Sequence, residues 1–145
     1  MIGLVQRVTQ ASVTVNNDIV GKIGKGMVVL VGVEQTDSQQ NVEKLANKLA
    51  AYRMFSDDEG KMNLNVQQIE GEILLVSQFT LVADTAKGNR PGFSKGASPE
   101  HGKAMFDLLV ETVKAKNIPV ATGQFGADMQ VSLINDGPVT FHFNL

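Results

Sequence analysis

The chain has 145 residues, 43% of them hydrophobic, with a formal net charge of −2, which fits one sizeable globular core and argues against general nucleic-acid binding by phosphate neutralisation. It contains no cysteine, which excludes a disulfide, a thiol nucleophile and a zinc–thiolate site. No basic segment leads into an apolar N-terminal stretch, and no apolar run approaches the ~20 residues that span a bilayer, so a soluble cytoplasmic protein forming a single domain over residues 1–145 is expected.

In chain order, the N-terminus reads as β. Val13 and Val15 alternate with Ser12 and Thr14, Asn16-Asn17-Asp18 is a turn signal, and Ile19 to Ile23 returns as a hairpin strand. Gly21 to Gly26, GKIGKG, lacks the spacing of a phosphate loop and reads as turns. Met27 to Val33 is a continuous apolar run suited to a strand covered on both faces. A first helix follows, with Asp37 as its cap and Gln40 three residues on. Its apolar face is Val42, Leu45, Ala46, Leu49 and Ala50. Asp57 to Gly60 is a solvated turn without calcium-loop spacing. Glu72 to Val82 reads as one strand, and Ala83 to Ala97 as a loop. Ser98 and Pro99 open a second helix, whose inner face is expected to be Met105, Leu108, Leu109, Thr112 and Val113. Asn117 and Pro119 end it. Met129 to Ile134, a turn at Asn135-Asp136-Gly137, and Pro138 to Phe143 complete the chain. Two helices among seven or eight strands imply an α/β fold with a mixed sheet and helices on one side.

Chemistry-bearing residues are sparse. The two histidines, His101 in the first turn of the second helix and His142 in the last strand, have surface positions as their simplest account. A Ser/Thr hydrolase of the triad type therefore has little support. No metal-ligand cluster is visible. From Thr85 to Lys103, Lys87, Arg90, Lys95 and Lys103 stand against Glu100, a local charge of +3 that a solvated loop would explain. Two places resist such plain accounts. Ser77, Gln78 and Thr80 interrupt an otherwise apolar strand around Phe79, and a buried hydroxyl or amide without a partner costs roughly 1–3 kcal/mol. A bulge or strand end there would free backbone N–H groups able to bind an oxyanion. The second is NDGPVTF, Asn135 to Phe141, where Gly before Pro in a β region removes a ladder donor. The residues alone do not decide whether that peptide is cis.

Taken together, SQFTL (Ser77 to Leu81) and NDGPVT (Asn135 to Thr140) resemble the paired signature of the D-aminoacyl-tRNA deacylases, also called D-tyrosyl-tRNA deacylases. The resemblance continues in order through QRVTQASVTV, YRMFSDDEGKMNLNV, RPGFSKGASP and TGQFGADMQVSL, and covers essentially the whole chain. It implies a single-domain, three-layer α/β/β fold with mixed sheets and two main helices. It also implies a homodimer with its active site at the subunit interface. The implied reaction is hydrolysis of the ester joining a D-amino acid to the terminal ribose of tRNA, with L-aminoacyl-tRNA rejected and no cofactor or metal required. Glycine has no side chain to exclude, so glycyl-tRNA, including mischarged Gly-tRNA(Ala), would also be cleaved. Membrane and DNA are not among the implied partners.

The resemblance assigns Ser77, Gln78, Phe79 and Thr80 to the reaction centre. It makes Gly137 and Pro138 a chiral gate, cis in the family, that reaches into the partner's pocket and binds the substrate through backbone carbonyls. Phe125 and Met129 would lie near the terminal adenosine. Thr80 would be a candidate nucleophile, but no base accompanies it, so a positioning role is expected, with oriented water, backbone donors and the substrate's own 2′-hydroxyl carrying the chemistry. The alternatives are a non-enzymatic module of the same fold that binds tRNA ends, and a generic Ser/Thr esterase, for which no nucleophile elbow is present.

Overall fold

In the computed structural model, which describes residues 1–145, the N-terminal run forms one long strand, β1 (Ile2–Val15). It turns at Asn16 and Asn17, whose φ values of +49° and +68° suit a two-residue hairpin, into β2 (Asp18–Ile23). The return strand expected over Ile19 to Ile23 is present, and Gly21 to Ile23, also read as the start of the GKIGKG turns, belong to it and pair with β1. The apolar run forms β3 (Gly26–Gly32), antiparallel to the first half of β1 and parallel to β6 (Glu72–Ser77). Parallel neighbours need a crossover. Helix α1 (Gln39–Ala51) connects β3 to β6, passing through the short hairpin of β4 (Phe55–Ser56) and β5 (Met62–Leu64). Helix α2 (Pro99–Lys114) connects β6 to its parallel neighbour β7 (Val120–Thr122). The last strand, β8 (Gln130–Asn144), pairs with β1 along nearly its whole length.

Strand alternation divides the core in two. Met27, Val29 and Val31 of β3, with Ile73 and Leu75 of β6, face α1 and α2 and pack on Val42, Leu45, Leu49, Phe106 and Leu109. Val28, Leu74 and Val76 face the opposite way, onto Val8, Ala11, Val13 and Ile23 of β1 and β2. The central strands are thus buried on both faces, which is why they read as unbroken apolar runs. The hairpin end of β1–β2 folds over β6 and β7 closely enough that a Cβ on Gly21 would collide with the Thr122 carbonyl oxygen.

Four local expectations are corrected. Asp37 does not cap α1. The cap is Ser38, whose N–H donates to Asn41 Oδ1 at 2.9 Å. Asp37 is buried instead, with Oδ1 2.7 Å from the Met1 ammonium and Oδ2 accepting from the Glu34 N–H. The inner face of α2 is rotated from the expected one. Phe106 and Val110 are buried with Leu109 and Val113, while Met105 and Leu108 are partly covered and the Thr112 hydroxyl donates back to the Leu108 carbonyl. Phe106 was missed because its period-3.6 neighbours, Gly102 and Lys103, weaken the apolar stripe there.

The third and fourth corrections concern the two unusual motifs. The strand expected to run to Val82 ends at Ser77, and Phe79–Val82 form a 3-10 turn. Alternation of side chains between two faces therefore does not apply beyond Ser77. At the C-terminus, Asn135 to Gly137 do not separate two strands. Both halves pair antiparallel to β1 in the same direction, Asn135 with Val8 and Thr140 with Gln6, so the four residues Asp136 to Val139 stand opposite Arg7 alone. The result is an enlarged bulge within one strand.

Candidate active site

The site begins where β6 stops. Ser77 is the last residue paired with β3, opposite Val31, and the Gln78 N–H donates to the Val31 carbonyl at 2.7 Å. The chain then tightens into the 3-10 turn, closed by Leu81 N–H to Gln78 O and Ala83 N–H to Thr80 O. That turn packs on the end of β3 at Gly32, where a Cβ would lie 2.9 Å from Leu81 Cβ. Leu81 is the first residue whose N–H is bonded within the turn, so those of Phe79 and Thr80 at its start are left without a partner there.

Beside this turn lies a cleft of about 420 Å³, walled by the ends of β3 and β6, the start of α2 and the segment around Phe125 to Met129. Ser77, Phe79, Phe125 and Met129 all line it, and no lining residue is charged. Gln78 and Thr80 do not line it. The Gln78 amide Nε2 donates to Thr80 Oγ1 at 3.1 Å, and Thr80 is exposed. Two glycines permit the walls to close. Gly102 in α2 lets Phe125 Cζ come within 3.6 Å of where a Cβ would be. Gly96 lies under the Phe79 ring, where a Cβ would meet Cε2 at 2.5 Å.

Gly137 and Pro138 stand elsewhere, exposed in the bulge of β8. Their peptide bond is cis. Gly137 has φ +135°, a conformation open to glycine, and a Cβ there would meet Val139 Cγ2 at 2.7 Å. The bulge is braced from both sides. Arg7 Nε donates to the Asp136 carbonyl at 2.9 Å and Nη1 to the Met54 carbonyl at 3.0 Å, with the side chain only 13% exposed. Asn135 Oδ1 accepts from the Val139 N–H at 2.7 Å, and its Nδ2 donates to Thr140 Oγ1 at 2.8 Å.

Neither histidine enters the cleft. His101 Nε2 is 2.8 Å from the Asp37 carbonyl, which can only accept, so that nitrogen carries the proton. His142 is an exposed strand residue opposite Leu4. No group of three or more His, Cys, Asp or Glu is placed to hold a metal ion. The arrangement offers backbone donors, an apolar cleft and rigid backbone, and no side-chain base at the reacting position. Sequence reasoning missed Arg7 and Asn135. The first could not be found, because only the fold brings residue 7 to residue 136. The second carried a signal, since Asx residues in a turn-like Asn-Asp-Gly run readily hydrogen-bond nearby backbone.

Comparison with known proteins matches residues 4–144 to the family described as D-Tyr-tRNA(Tyr) deacylase. The chain is 66% identical to the D-aminoacyl-tRNA deacylase of Alteromonas mediterranea over the full length of both chains. It is 57% identical to that of Escherichia coli O1:K1 over 97% of each. Among solved structures, it is similar to one named as the c-Myc DNA unwinding element binding protein, with a TM-score of 0.95, 38% identity, and coverage of 100% of this chain and 99% of that one. A probable eukaryotic D-amino acid tRNA deacylase shares the fold, with a TM-score of 0.86 at 18% identity over 99% and 98% of the two chains.

Proposed function

The chain belongs to the D-Tyr-tRNA(Tyr) deacylase family and is a hydrolase of that kind, and from that premise we propose a cytoplasmic chiral-proofreading enzyme that cleaves D-aminoacyl-tRNA to free D-amino acid and tRNA. It spares L-aminoacyl-tRNA and also acts on glycyl-tRNA, including Gly-tRNA(Ala). The whole chain serves as one catalytic domain, needs no cofactor or metal, and works as a homodimer. The observation that carries this reading is the end of β6 at Ser77, which opens an uncharged cleft next to unused backbone N–H groups.

In the proposed reaction the aminoacyl ester lies in the cleft with its terminal adenosine toward Phe125 and Met129. Water adds to the ester carbonyl carbon, and the oxygen of the tetrahedral intermediate takes its charge against the N–H groups of Phe79 and Thr80. The ester C–O bond then breaks. The ribose oxygen leaves as a hydroxyl, taking the proton that the attacking water gives up through the neighbouring 2′-hydroxyl. An aminoacyl ester is already reactive, so positioning and oxyanion stabilisation are sufficient help. Ser77 and Gln78 shape this centre, and Thr80 positions rather than attacks, since its only side-chain partner is the Gln78 amide.

Chirality is assigned to Gly137 and Pro138 of the second subunit. They are exposed and braced by Arg7 in their own chain, a form suited to insertion into a partner's cleft. Their backbone carbonyls would grip the substrate amino group, leaving no space for an L side chain. The test is ester loss from D-Tyr-tRNA and from glycyl-tRNA on incubation with the protein. Release of both amino acids is expected. Bound but intact D-Tyr-tRNA would contradict the reading and favour a module that only binds tRNA ends.

A further inference from the structure

The loop between the 3-10 turn and α2 is unusual in three respects. It is exposed from Asp84 to Lys95, yet ordered at both ends. Asp84 and Gly92 exchange backbone hydrogen bonds at 2.7 and 3.0 Å, the Gln35 N–H donates to Lys95 O at 2.9 Å, and the Ala97 N–H donates to Val33 O at 3.1 Å. Its cations are free. Lys87, Arg90 and Lys95 take part in none of the ion pairs of the molecule. The carboxylate of Asp84 accepts from the Ala86 N–H at 2.9 Å, Glu34 bridges Gly96 through its backbone, and the carboxylates of Glu34 and Glu100 form no ion pair with the loop. Finally, Phe93 is 37% exposed and stacks at 4.9 Å on Phe79, itself 49% exposed and part of the cleft wall. Two phenyl rings stacked in the open do not serve the core.

Unpaired cations tracking a surface, combined with an exposed ring, form the footprint of a single-stranded nucleic acid. A folded acidic protein would need the cations but not the ring. Duplex DNA would need a basic face far broader than one loop in a chain of net charge −2. We propose that the segment from Lys87 to Lys95 is the track for the single-stranded 3′ end of the substrate RNA. Lys87, Arg90 and Lys95 contact the phosphates just before the terminal nucleotide, and Phe93 supplies a stacking face for one of the bases. The proposal rests on the deacylase reading of the adjoining cleft. It makes the loop responsible for holding RNA, while the cleft alone handles the ester.

The experiment compares two substrates. D-Tyr-tRNA carries the phosphates, and 3′-D-tyrosyl-adenosine carries the ester without them. In the variant Lys87→Gln/Arg90→Gln/Lys95→Gln, KM for D-Tyr-tRNA should rise at least about tenfold at low salt. Its log–log salt dependence should become shallower by about 2, from three contacts at about 0.7 each. Hydrolysis of the adenosine ester should stay within about twofold of wild type. Phe93→Ala should raise KM for the tRNA about fivefold or more, with a smaller change on the adenosine ester, since Phe93 also stacks on Phe79 of the cleft wall. Unchanged KM and salt slope in the triple variant would overturn the proposal. So would an equal fall on both substrates, which would make the loop a structural support of the cleft. Should wild type hydrolyse neither substrate, the deacylase reading itself fails, a result distinct from either of these.

Discussion

Thr80 is the residue whose chemistry is easiest to overstate. It lies in the 3-10 turn and carries a hydroxyl, but that hydroxyl accepts from the Gln78 amide and has no base beside it. A nucleophile without a base to take its proton is weak. Thr80→Ala should therefore keep single-turnover hydrolysis of D-Tyr-tRNA within about tenfold of wild type, whereas loss of a covalent step would cost several orders of magnitude. A fall of about 1,000-fold or more with tRNA binding intact would reinstate Thr80 as the nucleophile. Gly137 works the other way. Its φ of +135° and the 2.7 Å approach of Val139 Cγ2 leave no place for a methyl group. Gly137→Ala should shift the bulge and lower turnover sharply, and should also lower the melting temperature, because the methyl group presses on Val139, a member of the larger core cluster.

Between elements, the most informative junction ties β1, α1 and β8 together. The Met1 ammonium contacts Asp37 Oδ1 at 2.7 Å and the Leu145 carbonyl at 2.6 Å, and Asn41 Nδ2 reaches the same carbonyl. Both members of the ion pair are buried. Removing Asp37 strips the buried Met1 ammonium of its carboxylate partner and leaves it only the Leu145 oxygen. Asp37→Ala should thus cost about 3 kcal/mol, read by denaturant unfolding. A change below about 0.5 kcal/mol would show that water replaces the carboxylate. This junction also shows what the sequence could and could not reveal. Asp37 has the chemistry of a helix cap, and Ser38 has it equally. Only the proximity of Met1, contributed by a strand 36 positions away, decides between them. The same holds for β6. Its apolar run continues in the sequence through Leu81 and Val82, so periodicity extends the strand. The polar residues between mark the place where pairing stops, a signal of interruption without a signal of geometry. By contrast, β3 and the buried face of α1 were fully legible, because burial on both faces and burial on one face leave distinct periodicities.

At the scale of the whole molecule, the cleft and the Gly137-Pro138 bulge are separate features of one chain, and the bulge does not line the cleft. Apolar side chains also remain exposed at the β1–β2–β8 end, including Ile19 and Ile134. A second copy that brings its bulge to the cleft would complete the site, and sedimentation at micromolar concentration should then give twice 15.6 kDa. A fully active monomer would refute a site shared between subunits. The resemblance in motif order along the chain was legible because it depends on residues in sequence; a site shared with a second chain was expected from that resemblance alone, since no spacing within one chain encodes it. Selection by handedness is read directly by incubating D-Tyr-tRNA and L-Tyr-tRNA in parallel with wild type and with Gly137→Ala. Rapid loss of the D ester and survival of the L ester are expected with wild type, and a diminished D rate with the variant. Equal hydrolysis of both esters by wild type, or none of either, would contradict that selection.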